Sequence, residues 1–172
     1  MNIAIVGATG NVGRKTLEVL EKKELEIDNL YLVASSRSAG IKIKFRGKEY
    51  EVEELDSFDF SKAKIIFFAA GGKISEKFAE KASKNSLVID NSSFFRMDPD
   101  VPLIVPQVNS EDLDSIKKNI VANPNCSTAQ LVIALKPLHD LFVIKRVVVS
   151  TYQSVSGGGK APMDELIEQT KF

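Results

Sequence analysis

The first thirteen residues constrain this chain more than any other stretch. Ile3-Ala4-Ile5-Val6 is a short apolar run that breaks into Gly7-Ala8-Thr9-Gly10-Asn11-Val12-Gly13, with glycines three residues apart. From Arg14 to Lys22 the pattern becomes amphipathic, with Leu17 and Leu20 on one helical face. A buried strand, a glycine turn and a helix in that order predict the opening of a doubly wound, Rossmann-type α/β domain. The glycines have physical reasons: the turn must be tight, the backbone must approach a pyrophosphate closely, and the helix must pack near the strand. The phosphates would meet unpaired N–H groups at the helix start, which makes Gly7, Thr9, Gly10, Asn11 and Val12 candidate cofactor-binding residues. The spacing is GxxGxxG rather than the commoner GxGxxG, and an ordinary strand–turn–helix is the alternative.

The second strand bears on which dinucleotide would bind. Leu30-Tyr31-Leu32-Val33-Ala34 is apolar and leads into Ser35-Ser36-Arg37-Ser38-Ala39-Gly40. An NAD site usually carries Asp or Glu near the end of this strand, to hold the ribose 2′-hydroxyl. Here hydroxyls surround an arginine, whose planar fork suits a phosphate. Ser35, Ser36 and Arg37 therefore point to NADP, against the plainer reading of a solvated loop.

Strand and helix patterns then alternate. Ile41 to Phe45 and Lys48 to Val52 read as a hairpin turning at Arg46-Gly47. Ile65 to Ala70 is apolar throughout, as expected of a parallel strand covered on both faces, and it ends at Gly71-Gly72. A helix through Ser75 to Lys84 follows, then strands at Leu87 to Asp90, Leu103 to Val105 and Ile120 to Ala122. Ligands of such sheets bind at the C-terminal ends of the strands, where Gly71, Gly72 and Asn91-Ser92-Ser93 fall. Each could equally be turn chemistry.

Cys126 is the only cysteine, in Asn123-Pro124-Asn125-Cys126-Ser127-Thr128, ahead of the apolar run Leu131 to Leu135. Pro124 discourages helix before it, so the thiol falls at or near a helix N-terminus, a setting that favours an anion. It reads as a nucleophile or as a small buried hydrophobe. Beyond it, Val147 to Val155 is a long β-prone run leading into Ser156-Gly157-Gly158-Gly159-Lys160, and Ala161 to Phe172 reads as an amphipathic helix. Gln153 and the glycine turn could serve ligand contact or merely make a bend.

Composition narrows the remainder. With 23 basic and 23 acidic residues the 172-residue chain has no net charge, and gives no electrostatic case for nucleic acid or an anionic membrane. No apolar stretch approaches membrane-spanning length, and no leader precedes the first strand. One thiol and one histidine make a poor zinc site, so no metal is expected. The expectation is a soluble, cytoplasmic protein.

Taken together these blocks resemble aspartate-β-semialdehyde dehydrogenase over essentially the whole chain. The resemblance rests on Gly7 to Gly13, Ser35 to Gly40, Asp90-Asn91-Ser92-Ser93-Phe94-Phe95-Arg96-Met97, Val105-Pro106-Gln107-Val108-Asn109, Pro124 to Thr128 and Ser150-Thr151-Tyr152-Gln153-Ser154-Val155-Ser156-Gly157. Gln107 departs from the Glu of many relatives. The resemblance implies NADP-dependent interconversion of L-aspartate 4-semialdehyde plus phosphate and L-4-aspartyl phosphate, in the biosynthesis of lysine, threonine and methionine. It implies Cys126 as nucleophile, Gln153 as the residue orienting substrate, and Arg96 as the phosphate ligand. Gly10, Asn11 and Val12 would meet the pyrophosphate, Ser36 and Arg37 the 2′-phosphate, and Ser156 and Gly157 the nicotinamide.

Members of that family are about twice as long. Their second domain supplies a histidine acid/base, an arginine for the substrate carboxylate and most of a homodimer interface. The resemblance thus divides the chain into a cofactor domain, 1–125, and the start of a catalytic and dimerisation domain, 126–172. His139, the single histidine, matches no catalytic motif and reads as an exposed helix-end residue. Little or no turnover is expected from this length alone. A non-catalytic NADP-binding module is the alternative, and N-acetyl-γ-glutamyl-phosphate reductase is a sibling enzyme that matches the blocks less well.

Overall fold

The computed structural model, whose described residues are 1–171, opens with the expected strand β1 (Asn2–Val6) and helix α1 (Asn11–Lys22). β2 (Asn29–Ala34) is followed by the hairpin of β3 (Lys42–Phe45) and β4 (Lys48–Glu54). β5 (Ile65–Phe68), α2 (Gly72–Ser83) and β6 (Leu87–Asp90) come next. The short α3 (Pro106–Asn109), β7 (Ile120–Ala122), α4 (Cys126–Phe142) and α5 (Lys160–Gln169) complete the order. The sheet runs β3-β4-β2-β1-β5-β6-β7, parallel except at β3. The doubly wound α/β expectation holds, and the strand order reverses between β1 and β5. Ligands of open α/β sheets bind at that switch point.

Period-two burial explains the apolar strands. Ile3 and Ile5 of β1 join Leu30, Leu32 and Val52 under Leu17 and Leu20 of α1. Ala4 and Val6 face the other way, with Ile66, Phe68 and Val88 under Phe78, Ala79 and Ala82 of α2. Each large side chain so buried contributes about 1.5–3 kcal/mol relative to exposure. Coverage of β5 is uneven, however. Ile65 and Phe67 are only half-buried, and a cleft of about 400 Å³ lies between Val12, Thr16 and Val19 of α1 and Phe67 and Ile89 of the sheet. The expectation of a strand covered on both faces is met on the α2 side alone.

At the hairpin turn both Arg46 (φ 47°) and Gly47 (φ 77°) are left-handed, as a two-residue turn between twisted strands requires. The arginine is held in that conformation from outside: its guanidinium donates to the carbonyls of Leu20, Lys23 and Leu25 at the end of α1. There it adds to the C-terminal cap that begins with the Lys23 N–H donating to the Leu20 carbonyl.

Two expected strands do not form. Leu103 to Val105 makes a single bridge, Leu103 to Ala122, because Pro106 turns the chain at once into α3. Val147 to Val155 pairs with nothing among the described residues, and Val147, Val148, Val149 and Tyr152 stay exposed. β propensity alone cannot form a strand there, because its backbone groups have no ladder and its side chains no surface to cover. Val155–Gly158 closes into a 3₁₀ turn instead. The last helix spans Lys160–Gln169, and its expected end at Phe172 lies outside the described residues. No described residue after Pro124 is buried.

Candidate active site

The glycine turn is built as its spacing requires. Gly7 is left-handed (φ 86°), and a Cβ there would come within 2.8 Å of the Ala69 backbone. A Cβ on Gly13 would lie 2.2 Å from the Gly7 carbonyl oxygen, so the close packing of α1 on the turn permits no side chain. Gly10 N–H is taken by the Gly7 carbonyl at 3.0 Å. Asn11, Val12 and Gly13 open the helix, where N–H groups lack intrahelical partners, and no acidic residue stands in that first turn. Bare backbone donors at a helix start fit the phosphates of a dinucleotide.

Ser36–Ser38 forms a 3₁₀ turn at the end of β2, and the Thr9 hydroxyl bonds that of Ser38 at 3.4 Å. The two candidate cofactor segments therefore meet. Arg37 is exposed and, among the described residues, neither hydrogen-bonded nor ion-paired. The register also sets Glu54 of β4 level with Ala34. That carboxylate arrives through the hairpin, and spacing along β2 does not reveal it. Gly71 is left-handed (φ 86°) and caps α2, while the Cβ position of Gly72 lies 3.9 Å from that of Phe94. The ends of β5 and β6 are thereby brought together.

Asp90 organises the loop after β6. It is wholly buried, and its carboxylate accepts from Ser75 Oγ (2.7 Å), Ser92 N–H (3.0 Å) and Ser92 Oγ (2.7 Å). Ser75 comes from α2, so the loop is tied to the core. Arg96, half-buried, donates from Nε to the Asn123 carbonyl at 2.9 Å and from Nη2 to the Asn91 carbonyl at 3.1 Å. The Asn123 side-chain amide donates to Asn91 Oδ1 at 2.8 Å. Lys118 bonds Asp98, just beyond the loop, at 2.8 Å and holds that carboxyl below its usual range. These contacts set a guanidinium, anchored by carbonyls, beside the turn that carries the cysteine.

Cys126 opens α4 and is exposed, which rules out the buried-hydrophobe reading for this chain. Asn125 is the cap. Its Oδ1 accepts from Ser127 N–H (3.0 Å), Ser127 Oγ (2.7 Å) and the Gln153 amide (3.1 Å). Gln153 Nε2 is also 4.0 Å from Cys126 Sγ. The chain after Val143 thus returns to the thiol without forming a strand. Ser156 and Gly157 lie in the exposed 3₁₀ turn that follows, where Ser154 Oγ accepts from Ser156 N–H at 3.3 Å. His139 is exposed in the last turn of α4, roughly 20 Å along the helix from Cys126 at 1.5 Å per residue.

Asn125, Asn123, Asp90 and Ser75 shape the site without having been given a role from the sequence, where Asn91 enters only as a strand-end residue. Two of them left traces there. Asn-x-Ser before an apolar run is a helix-start signal, and Asp-x-Ser after a strand is an Asx-turn signal. The crossings that bring Ser75 to Asp90 and Asn123 to Asn91 have no local trace. Among the described residues no cluster suits a metal ion, and no helix is long and apolar enough to cross a membrane.

Comparison with known proteins agrees with this geometry. Residues 2–116 match the family model described as semialdehyde dehydrogenase, NAD binding domain, and residues 135–172 match the semialdehyde dehydrogenase dimerisation domain. The chain is 55% identical to an aspartate-semialdehyde dehydrogenase of Aquifex aeolicus over 98% of its length and 51% of the relative's. Against the Rickettsia bellii enzyme of the same name it is 52% identical, over 99% of its own length and 51% of the other. The crystal structure of aspartate semialdehyde dehydrogenase II from Vibrio cholerae, complexed with ASA, superposes with a TM-score of 0.94 at 50% identity, covering 98% of this chain and 51% of that one. The enzyme from Candida albicans with NADP gives a TM-score of 0.67 at 32% identity, over 83% and 48%. The chain spans about half the length of the relatives it matches. With the glycine turn, the Arg96 loop and the capped cysteine falling within that shared half, this chain belongs to the aspartate-semialdehyde dehydrogenase family of oxidoreductases.

Proposed function

We propose that this chain forms the cofactor-binding and nucleophilic half of an active site that interconverts L-aspartate 4-semialdehyde plus phosphate and L-4-aspartyl phosphate with NADP. The observation that carries this reading is the meeting of Gln153 and Cys126 at the start of α4, 4.0 Å apart, beside the anchored Arg96. Bound at Gly7, Thr9, Gly10, Asn11, Val12, Gly71 and Gly72, with Ser35, Ser36 and Arg37 on its 2′-phosphate and Ser156 and Gly157 by the nicotinamide, NADP would supply the acceptor for a hydride.

The chain's own residues do the covalent work. Cys126 Sγ adds to the aldehyde carbon, the C–S bond forming as the C=O π bond breaks, while the thiol proton leaves to solvent or to a base and the carbonyl oxygen takes one up. Gln153 orients the substrate through its amide. Once that carbon has given up its hydride to the bound acceptor and its hydroxyl a proton to solvent or a base, the group is a thioester on Cys126. Arg96 uses its remaining donors to hold phosphate, whose oxygen attacks the thioester carbonyl. The C–S bond breaks, and the sulfur returns to Cys126 as thiolate.

The missing parts are those a second half would bring. A positioned acid/base contributes about 10²–10⁴-fold, and the one histidine stands far from the thiol. An arginine for the substrate carboxylate and a homodimer interface would come from the same half. The domains divide at 125/126 on this reading, and the protein works in the cytoplasm on small molecules, in the biosynthesis of lysine, threonine and methionine.

The test is NADPH absorbance with the purified chain, NADP⁺, aspartate semialdehyde and phosphate, beside a Cys126→Ala control. A folded chain that binds NADP⁺ but does not exceed the control fits a half-site. Phosphate-dependent turnover lost in Cys126→Ala would confirm the chemistry and refute the need for a second half. Failure to bind NADP⁺ would overturn the cofactor reading.

A further inference from the structure

The glycine turn is also approached from α5. Asn11, the first residue of α1, donates from Nδ2 to the sulfur of Met163 at 3.4 Å, across 152 residues of sequence. Met163 is half-buried, whereas Leu166 and Ile167 farther along α5 are exposed, so the first turn of α5 is the part that is seated. Lys160 opens that turn. Residues three apart share a helical face, about 5–6 Å between Cβ atoms, and a long side chain leans back towards the helix N-terminus. Met163 therefore reaches the start of α1 from the same edge of α5 that carries Lys160.

The position of Lys160 is electrostatically unfavourable as it stands. A cation in the first turn opposes the helix dipole. Its partner is Asp164 one turn along, in an exposed pair of the kind that contributes little. Of the cations on α1 itself near its start, Arg14 Nε donates to the Thr9 carbonyl at 3.0 Å and Lys15 pairs with Glu18 at 2.7 Å, while the unpaired Arg37 stands in the neighbouring turn. A doubly charged pyrophosphate at this turn would meet backbone donors, and the seated turn of α5 carries an ammonium committed only to an exposed pair with Asp164.

We propose that Lys160 is a second anchor for the cofactor's pyrophosphate, exchanging Asp164 for a phosphate oxygen and holding α5 across the start of α1. This rests on the reading of the glycine turn as a pyrophosphate site. Gly159, left-handed at φ 92°, gives the backbone turn that leads into α5 in this orientation.

The test is equilibrium binding of three probes to the full 172-residue chain: NADP⁺, ADP-ribose (pyrophosphate without the 2′-phosphate) and 2′-AMP (2′-phosphate without the pyrophosphate). Lys160→Met, which keeps the apolar stem, should weaken NADP⁺ and ADP-ribose about tenfold and leave 2′-AMP unchanged, the scale of one hydrogen bond to a charged group. Lys160→Arg should restore most of the loss, and Lys171→Ala should match the wild type. Unchanged binding of all probes by Lys160→Met would overturn the proposal and leave Met163 as packing alone. Equal losses for all three probes, shared by Lys171→Ala, would also overturn it, as a general charge effect. If the unmutated chain bound 2′-AMP but neither pyrophosphate probe, the glycine-turn reading itself would fail, and the Lys160 proposal with it.

Discussion

Arg37 and Glu54 stand on opposite sides of the choice between NADP and NAD. A guanidinium is the kind of group that holds a 2′-phosphate, and a carboxylate the kind that holds a free 2′-hydroxyl. Arg37 sits in the turn that bonds the glycine loop, whereas Glu54 arrives on the neighbouring strand. Arg37→Ala should therefore weaken NADP⁺ binding about tenfold or more, the value of a charge-assisted contact, and leave NAD⁺ binding unchanged. Isothermal titration with both cofactors checks this, and equal effects on the two would shift the discrimination to Glu54. At Cys126 the decisive neighbour is Asn125. One amide oxygen caps α4 and holds Gln153, so the helix start and the proposed substrate-orienting residue are fixed by a single atom.

Helix α1 offers a test at the scale of one element. Hydrogen bonds from Lys15 and then Lys22 lower the Glu18 pKa from its ordinary 4.5 to about 2. A carboxylate whose folded pKa is depressed adds stability above its unfolded pKa and loses it as pH falls through the folded one. The contribution of this exposed trio is small, present near neutral pH and lost between about pH 4.5 and 2. Thermal unfolding of Glu18→Gln should lie below wild type near neutral pH and converge with it near pH 2; parallel curves throughout would show that the trio adds nothing. Elements with a local cause were legible in the sequence: β1, α1, the hairpin at Arg46-Gly47, β6, β7 and the start of α4. Each combines periodicity with a glycine, proline or capping signal. The expected strands at Leu103 to Val105 and Val147 to Val155 failed because a strand is a property of its partner as much as of its sequence. The same limit hid Asp90 and Ser75, whose bond crosses from a strand end to a helix.

The whole molecule is uneven. Up to Pro124 it is a sheet with a buried core, and beyond that point no described residue is buried. Leu138, Leu141, Phe142, Val147, Val148 and Tyr152 leave apolar surface on the segment that overlaps the match to a dimerisation domain. Exposed apolar surface on that scale marks an interaction face. The proposed nucleophile, orienting amide, phosphate-binding arginine and cofactor turn all lie in the half at hand. The decisive measurement is NADPH formation by a chimera in which this chain is continued by the C-terminal half of the Aquifex aeolicus relative. The account predicts NADP⁺- and phosphate-dependent oxidation of aspartate semialdehyde that disappears in Cys126→Ala. A folded chimera that binds NADP⁺ and gives no NADPH, or one whose activity survives Cys126→Ala, would contradict it.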